Sequence, residues 1–342
     1  AHDPHQPPSA DGPAMSDESP NKTTPESGPD LDAELGVEST KVLEPDPVLQ
    51  AGIAKGSRQH GQFAQLLHDS WHVRRTKIGL GILIAILVIV IAGPWFAPYS
   101  PTEFPAPPFS PPSRATLLGT DYLGHDVLTR VLYGGRTVIM LALAATVLGL
   151  AIGVTLGLIS GYARRWVDES LMRLLDVVLA FPSIVLVMLF VSMFGPRLWL
   201  IVIMVGLSHA PRIARVTRAA SMEVAQRDFV RASEALGVAR SKILATEILP
   251  NITSPLLVEF GLRLTYSIGL IAALSFLGFG LQPPAADWGL MINENRIGIT
   301  VQPYAVFVPV LLIGILTIAT NMIADGVARA LVGIDRDTGA SA

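Results

Sequence analysis

The 342-residue sequence contains no cysteine. That excludes disulfide staples, thiolate metal sites and cysteine nucleophiles. Charge is also scarce: Asp, Glu, Lys and Arg together make up 15%, where soluble domains carry about a quarter. Aromatic residues reach only 7% and the net charge is -3, which gives no electrostatic basis for a nucleic-acid partner. No G-x-x-x-x-G-K-[ST] phosphate loop occurs, so the chain has no ATP site of that kind. What remains is apolar, 50% of the residues, gathered into long uncharged runs. That pattern indicates a membrane protein rather than a large soluble core.

Residues 1–70 are a different material, rich in Pro, Ser, Asp, Glu and Gly. They cannot bury enough surface to fold alone and are expected to form a disordered cytoplasmic tail. Six apolar runs follow, at about 78–99, 137–161, 174–194, 198–213, 256–279 and 304–324. Each is near the roughly 20 residues that a spanning helix needs. None alternates with period two, so a barrel is excluded and helices are expected. The fold class is therefore all-α and polytopic, a six-helix transmembrane domain over 71–336 with a short C-terminal tail, 337–342. Lys and Arg set the orientation. Arg74, Arg75 and Lys77 precede the first run, and Arg164, Arg165 and Arg173 lie between the second and third. Seven basic residues from Arg212 to Lys242 lie between the fourth and fifth. The opposite side carries Arg197 and Arg296, with Arg114, Arg130 and Arg136 in the long first loop. Both termini and the loop at about 218–250 are expected in the cytoplasm.

That loop holds RDFVRASEALGVARSKILATEILPN, residues 227–251. Ala232, Glu234, Ala235 and Leu236 favour a helix and Gly237 stops it. A second helical run, 241–248, is expected to end at Leu249-Pro250. The small residues Ala232, Ser233 and Ala235 permit close approach to a partner. Two readings stand: a basic surface held on anionic lipid, or a short helix inserted into a partner groove.

In the second run, Gly149, Gly153, Gly157 and Gly161 recur every four residues with Ala145 one turn earlier. Close helix packing follows directly; a pore-lining face is the alternative. Pro182, Pro211 and Pro309 are expected to kink their helices, as hinges or as fixed bends. Asp126 and Arg130 are spaced for a helical ion pair, as are Glu259 and Arg263. The segment around that first pair reads as a helix on the outer surface. Trp288 suits a membrane interface. His125 has no second histidine near it in sequence, and no metal site is expected. Ser208-His209 is a poor catalytic dyad, because adjacent helix residues do not face one another. An ion-driven transporter would need charged or unwound sites at mid-membrane, and an intramembrane enzyme would need a convergent cluster; neither is visible.

Three segments carry a family resemblance. The 227–251 loop resembles the EAA loop of ABC-importer permeases, with Arg231-Ala232-Ser233, Gly237, Glu247 and Leu249-Pro250 in its slots. LGTDYLGHDVLTRVLYGGRT (118–137) and SFLGFGLQPPAADWGLMINENR (275–296) are similar to segments of the C-type permease of dipeptide and oligopeptide importers. Asp325-Gly326 and Asp335 echo that family's C-terminal end. Membership implies the type I importer permease fold in a bacterial inner membrane. It implies a second, paralogous permease, two ATPase subunits that bind ATP and Mg, and an extracytoplasmic binding protein. It assigns Arg231, Ala232, Ser233, Glu234, Ala235, Leu236, Gly237, Leu249 and Pro250 to ATPase coupling. Di- or oligopeptides are the implied cargo, with nickel, haem or another small solute as alternatives. No substrate-contacting residue is assigned.

Overall fold

The computed structural model describes residues 73–163 and 165–339, with side chains through Ala330. The tail expected over 1–70 lies outside the described residues. Apart from a lone β-bridge between Thr120 and Asp126, every regular element described is helical. In order these are α1 (Arg74–Phe96), α2 (Val127–Tyr162), α3 (Arg165–Leu179), α4 (Ser183–Phe194) and α5 (Leu198–Ala225). A hairpin follows, made of α6 (Asp228–Ala235), α7 (Arg240–Ile243), a π turn (Leu244–Ile248) and α8 (Leu249–Asn251). The chain closes with α9 (Thr253–Phe276), α10 (Trp288–Asn295), a 3-10 turn (Arg296–Gly298) and α11 (Tyr304–Gly339).

Five of these, α1, α2, α5, α9 and α11, are long and apolar enough to cross a membrane. The third run, 174–194, is not one continuous helix: α3 and α4 meet at a 78° bend, at the proline expected to kink it. The cause is local. Pro182 has no N–H to donate and its ring disfavours helical geometry at Phe181. Pro182 itself takes extended angles, φ -56° and ψ 128°. At 12 residues, α4 is about 18 Å long, too short to cross a hydrocarbon core of about 30 Å alone.

Helix α5 runs to Ala225 rather than stopping near 213, so the hairpin loop begins at about 226 and not 218. Its hydropathy is the lowest of the five because Ser208, His209 and several arginines lie along it. It tolerates them by sitting at the centre, with 67% of its most apolar stretch buried against 22% in α1. Helix α2 packs along α5, while α11 packs on α1 and α9. Val138, Ala142, Ala145, Val205, Leu274 and Leu316 join these helices in one apolar core. Pro211 and Pro309 lie inside continuous helices. Helix α11 passes the boundary placed at 336 and runs to Gly339.

Candidate functional site

The hairpin after α5 is built from one buried face and one bare face. Helix α6 ends in a Schellman turn. The Val238 amide donates to the Ser233 carbonyl at 3.1 Å and that of Gly237 to Glu234 at 3.0 Å. Gly237 has φ +75° and no neighbour within 4 Å of where a Cβ would stand. The restriction there is therefore backbone conformation and not space, since a left-handed residue with a Cβ costs about 1–2 kcal/mol. The turn leaves Leu236 at the tip, 83% exposed. Ala232, Glu234 and Ala235 are exposed beside it, as is Arg231.

Beneath, Val230, Ile243 and Ile248 are fully buried against Leu158 and Val224 at the ends of α2 and α5. The hairpin is therefore fixed to those two helices as a packed unit. A polar latch adds to it. The Tyr162 hydroxyl, at the last turn of α2, donates to Glu234, and the Arg240 guanidinium lies 5.8 Å from the Tyr162 ring centre. The second run ends at Asn251, one residue past the expected Leu249-Pro250. It opens into a π turn, closed by Leu249 donating to Leu244, and resumes with Pro250 in the first turn of α8. There its missing N–H leaves no bond unmade. Leu249 is half-buried and Pro250 exposed on this arm.

The seam between α2 and α5 lies above the hairpin. A Cβ on Gly149, Gly153, Gly157 or Gly161 would stand 2.6–2.9 Å from the carbonyl oxygens of Gly206, Ala210, Ala214 and Arg218 respectively. Four glycines thus meet four backbone positions in matching steps of four residues, and the two helices touch main chain to main chain. Asp168 at the start of α3 clamps the lower end, receiving Arg218 Nε and Nη2 at 2.5 Å each and the Ser160 hydroxyl. Asp176 pairs with Arg215.

At the opposite end of α2 a buried charged cluster ties two loops together. The expected Asp126–Arg130 pair is not made. Asp126 is the N-cap of α2, accepting from the Thr129 amide at 2.8 Å and its hydroxyl at 2.7 Å. Arg130 turns away, to Asp121, to Glu294 at 3.0 Å and to the Ala285 carbonyl at 3.1 Å. The 118–137 segment is accordingly the capped start of α2 with its preceding loop, not a separate surface helix. Asp121 also accepts three amides, from Leu123, Gly124 and His125, each at 2.9 Å, and faces His125 Nδ1 at 3.0 Å. Trp288 does not face lipid or water. It is fully buried over Gly134 and Gly135, and its indole donates to the Val131 carbonyl at 2.9 Å. Those two glycines make the space that a tryptophan needs inside the fold. Glu259 and Arg263 do pair, at 2.9 Å, both buried on α9.

The cluster separates its two carboxylates. Burial alone raises Asp121, but the Arg130 charge and the hydrogen bonds from Arg130 and His125 outweigh it and hold the carboxyl below its ordinary value. Burial raises Glu294, and Arg130 and Tyr122 offset only part of that. Asp121→Asn is therefore expected to cost about 3–5 kcal/mol, as for one partner of a buried pair, and Glu294→Gln distinctly less. The pH dependence has opposite signs. Stability from Asp121 is present at neutral pH and lost as pH falls below its ordinary 3.8. The fold raises Glu294 above its ordinary 4.5, so its contribution to stability grows as pH falls through that raised value and is fully present below about 4.5. Glu294→Gln should flatten that rise. Thermal unfolding in detergent at about pH 3, pH 5 and pH 7 reads both effects, Glu294 between the upper two and Asp121 between the lower two; an unchanged slope between about pH 5 and pH 7 in the Gln variant would refute the assignment.

Several of these contacts have no sequence signal. Tyr162–Glu234 spans 72 residues, and Arg130 and Glu294 come from opposite ends of the domain. No local pattern in the sequence marks either contact.

Two family descriptions match the chain: binding-protein-dependent transport system inner membrane component over residues 153–333, and N-terminal TM domain of oligopeptide transport permease C over 74–112. The di/tripeptide transport system permease protein of Pseudomonas aeruginosa is 37% identical over 276 residues, 78% of this chain and 91% of that one. The dipeptide transport system permease protein of Haemophilus influenzae is 34% identical, covering 75% of this chain and 90% of the other. The glutathione transport system permease protein of Pectobacterium atrosepticum is 36% identical over 64% of this chain and 73% of its own length. Among solved structures, an inward-facing MetNI methionine ABC transporter chain matches with TM-score 0.46 and 20% identity, over 59% of this chain and 96% of that chain.

Proposed function

The chain belongs to the family of binding-protein-dependent transport system inner membrane components, and from that premise we propose that it forms half of the membrane pathway of an ATP-driven importer of di- or oligopeptides. A second, paralogous permease completes the pathway. Two ATPase subunits bind ATP and Mg on the cytoplasmic side, and an extracytoplasmic binding protein delivers the peptide. This chain itself is not a catalyst. The cargo class rests on relatives that share two thirds or more of their length with it and are named for di-, tri- or dipeptide transport. Glutathione, the cargo in the name of a further relative, is itself a small peptide and belongs to the same chemical class.

The observation that carries the coupling role is the hairpin. An 83% exposed leucine stands at the tip of a module whose other face is locked to α2 and α5. Such a module hands a push at its tip to both helices. The Arg231–Gly237 segment and the Leu249-Pro250 arm are its ATPase-facing parts. Six crossings with both termini cytoplasmic complete the reading, with α3 and α4 together making the third despite their bend. The basic residues flanking the hairpin favour that side.

A topology test follows from the missing cysteines. Single cysteines at Leu236 and Leu117 are expected to behave oppositely toward an impermeant maleimide in intact cells. Leu117→Cys should label and Leu236→Cys should label only after the membrane is opened. Labelling of Leu236→Cys from outside would invert the whole assignment. The function is tested by purifying the chain with its co-expressed ATPases and binding protein: peptide should stimulate hydrolysis, and a complex indifferent to peptide would remove the cargo proposal.

A further inference from the structure

Helix α2 is held at both ends and along its length. At one end Arg130 bridges Asp121, Glu294 and the Ala285 carbonyl, so the loop before α2 and the loop after α9 are fastened to its first turn. At the other, the hairpin sits on Leu158 and Tyr162. Between them the glycine seam leaves no side-chain layer that could slide against α5. The helix has 36 residues, about 54 Å, with no proline inside it.

We propose that Arg130 is a positioning residue for transport: through α2 it makes the far loops and the ATPase-facing hairpin move as one body. The inference rests on the importer reading given above. Packed helices are not continuously deformable, so a displacement at the hairpin tip reaches the far end undiminished only if that end is fastened to α2. Arg130 supplies the fastening with a planar fork that serves two carboxylates and a carbonyl at once. Glutamine keeps the polarity but cannot make those three contacts, and lysine lacks the fork.

The test uses the whole complex, with its ATPases and binding protein, in lipid. Arg130→Gln should lower thermal stability, as Asp121→Asn does; in the complex that assembles, basal ATP hydrolysis per complex should match the wild type, while stimulation by peptide-loaded binding protein falls at least tenfold. Arg130→Lys should fall between them. A merely structural role would reduce basal and stimulated hydrolysis per assembled complex in proportion, and that result overturns the proposal. A second measurement does not depend on any Arg130 variant. Spin labels at Leu123→Cys, beside Asp121, and Ser241→Cys, exposed on the second arm of the hairpin, should give the same distance in the nucleotide-free and vanadate-trapped states. A shift comparable to one helical turn, about 5 Å, would overturn the one-body claim. A wild-type complex that peptide does not stimulate would overturn the importer reading itself, and this inference with it.

Discussion

Leu236→Asp is expected to detach the ATPase subunits from the membrane subunit and abolish uptake. The leucine is exposed in the isolated chain and has no partner side chain above it. Seated in an apolar groove, it contributes about 1.5–3 kcal/mol of burial. A carboxylate in its place forfeits that and remains desolvated without a partner, a penalty of at least similar size. Together these exceed the roughly 2 kcal/mol of an interface hot spot, and so correspond to a loss of affinity of about 30-fold or more. Gly237→Val attacks the same site differently, because the turn needs φ +75° and a β-branched residue resists it. Leu236→Met should be tolerated, since it keeps apolar volume. Co-purification of the ATPases with each variant checks this; a Leu236→Asp complex that stays assembled and active would refute the anchor.

Gly153→Leu and Gly157→Leu should have the largest effects within the membrane. A Cβ at Gly153 already stands 2.6 Å from the Ile213 Cβ, and one at Gly157 2.5 Å from that of Thr217. The obstructing atoms are main chain and β-carbons, which cannot rotate aside. Overpacking of ordinary cores costs about 1–3 kcal/mol, and here a leucine must push two backbones apart along the whole seam. Either variant should fail to accumulate or unfold far below the wild type. Gly269→Ala and Gly314→Ala are the controls, because nothing lies within 4 Å of a Cβ at those positions. Equal thermal stability of the Gly153→Leu variant and the wild type would show that the seam is not a close contact.

Much of the architecture could be read from composition, because a helix in lipid must satisfy its own backbone and therefore shows as an uninterrupted apolar run. The glycine repeat was legible for a similar reason: spacing of four names one helix face, though not the helix that meets it. Orientation of side chains was harder. Asp126 and Arg130 fit a helical pair by spacing, yet Asp126 was drawn to the orphan amides of the helix start and Arg130 to Asp121 and Glu294. Trp288 fits an interface by type, yet its pocket is made by Gly134 and Gly135, 153–154 positions earlier in the chain. A kink at Pro182 was legible in the third span, but its size, a 78° bend that parts the run into two helices, was not, because Pro182 acts on backbone geometry and leaves hydropathy untouched. The Tyr162 latch depends on two remote segments meeting, which no local pattern records.

The central claim is that the 231–237 tip enters an ATPase subunit, and a photo-crosslinking amino acid in place of Leu236 tests it most directly. In an assembled complex that hydrolyses ATP on addition of peptide, irradiation should join this chain to an ATPase subunit. The same residue placed at Leu117, at the far end of α2, should give no such product. An active complex in which Leu236 yields no adduct with the ATPase, or yields one only with lipid, would contradict the account.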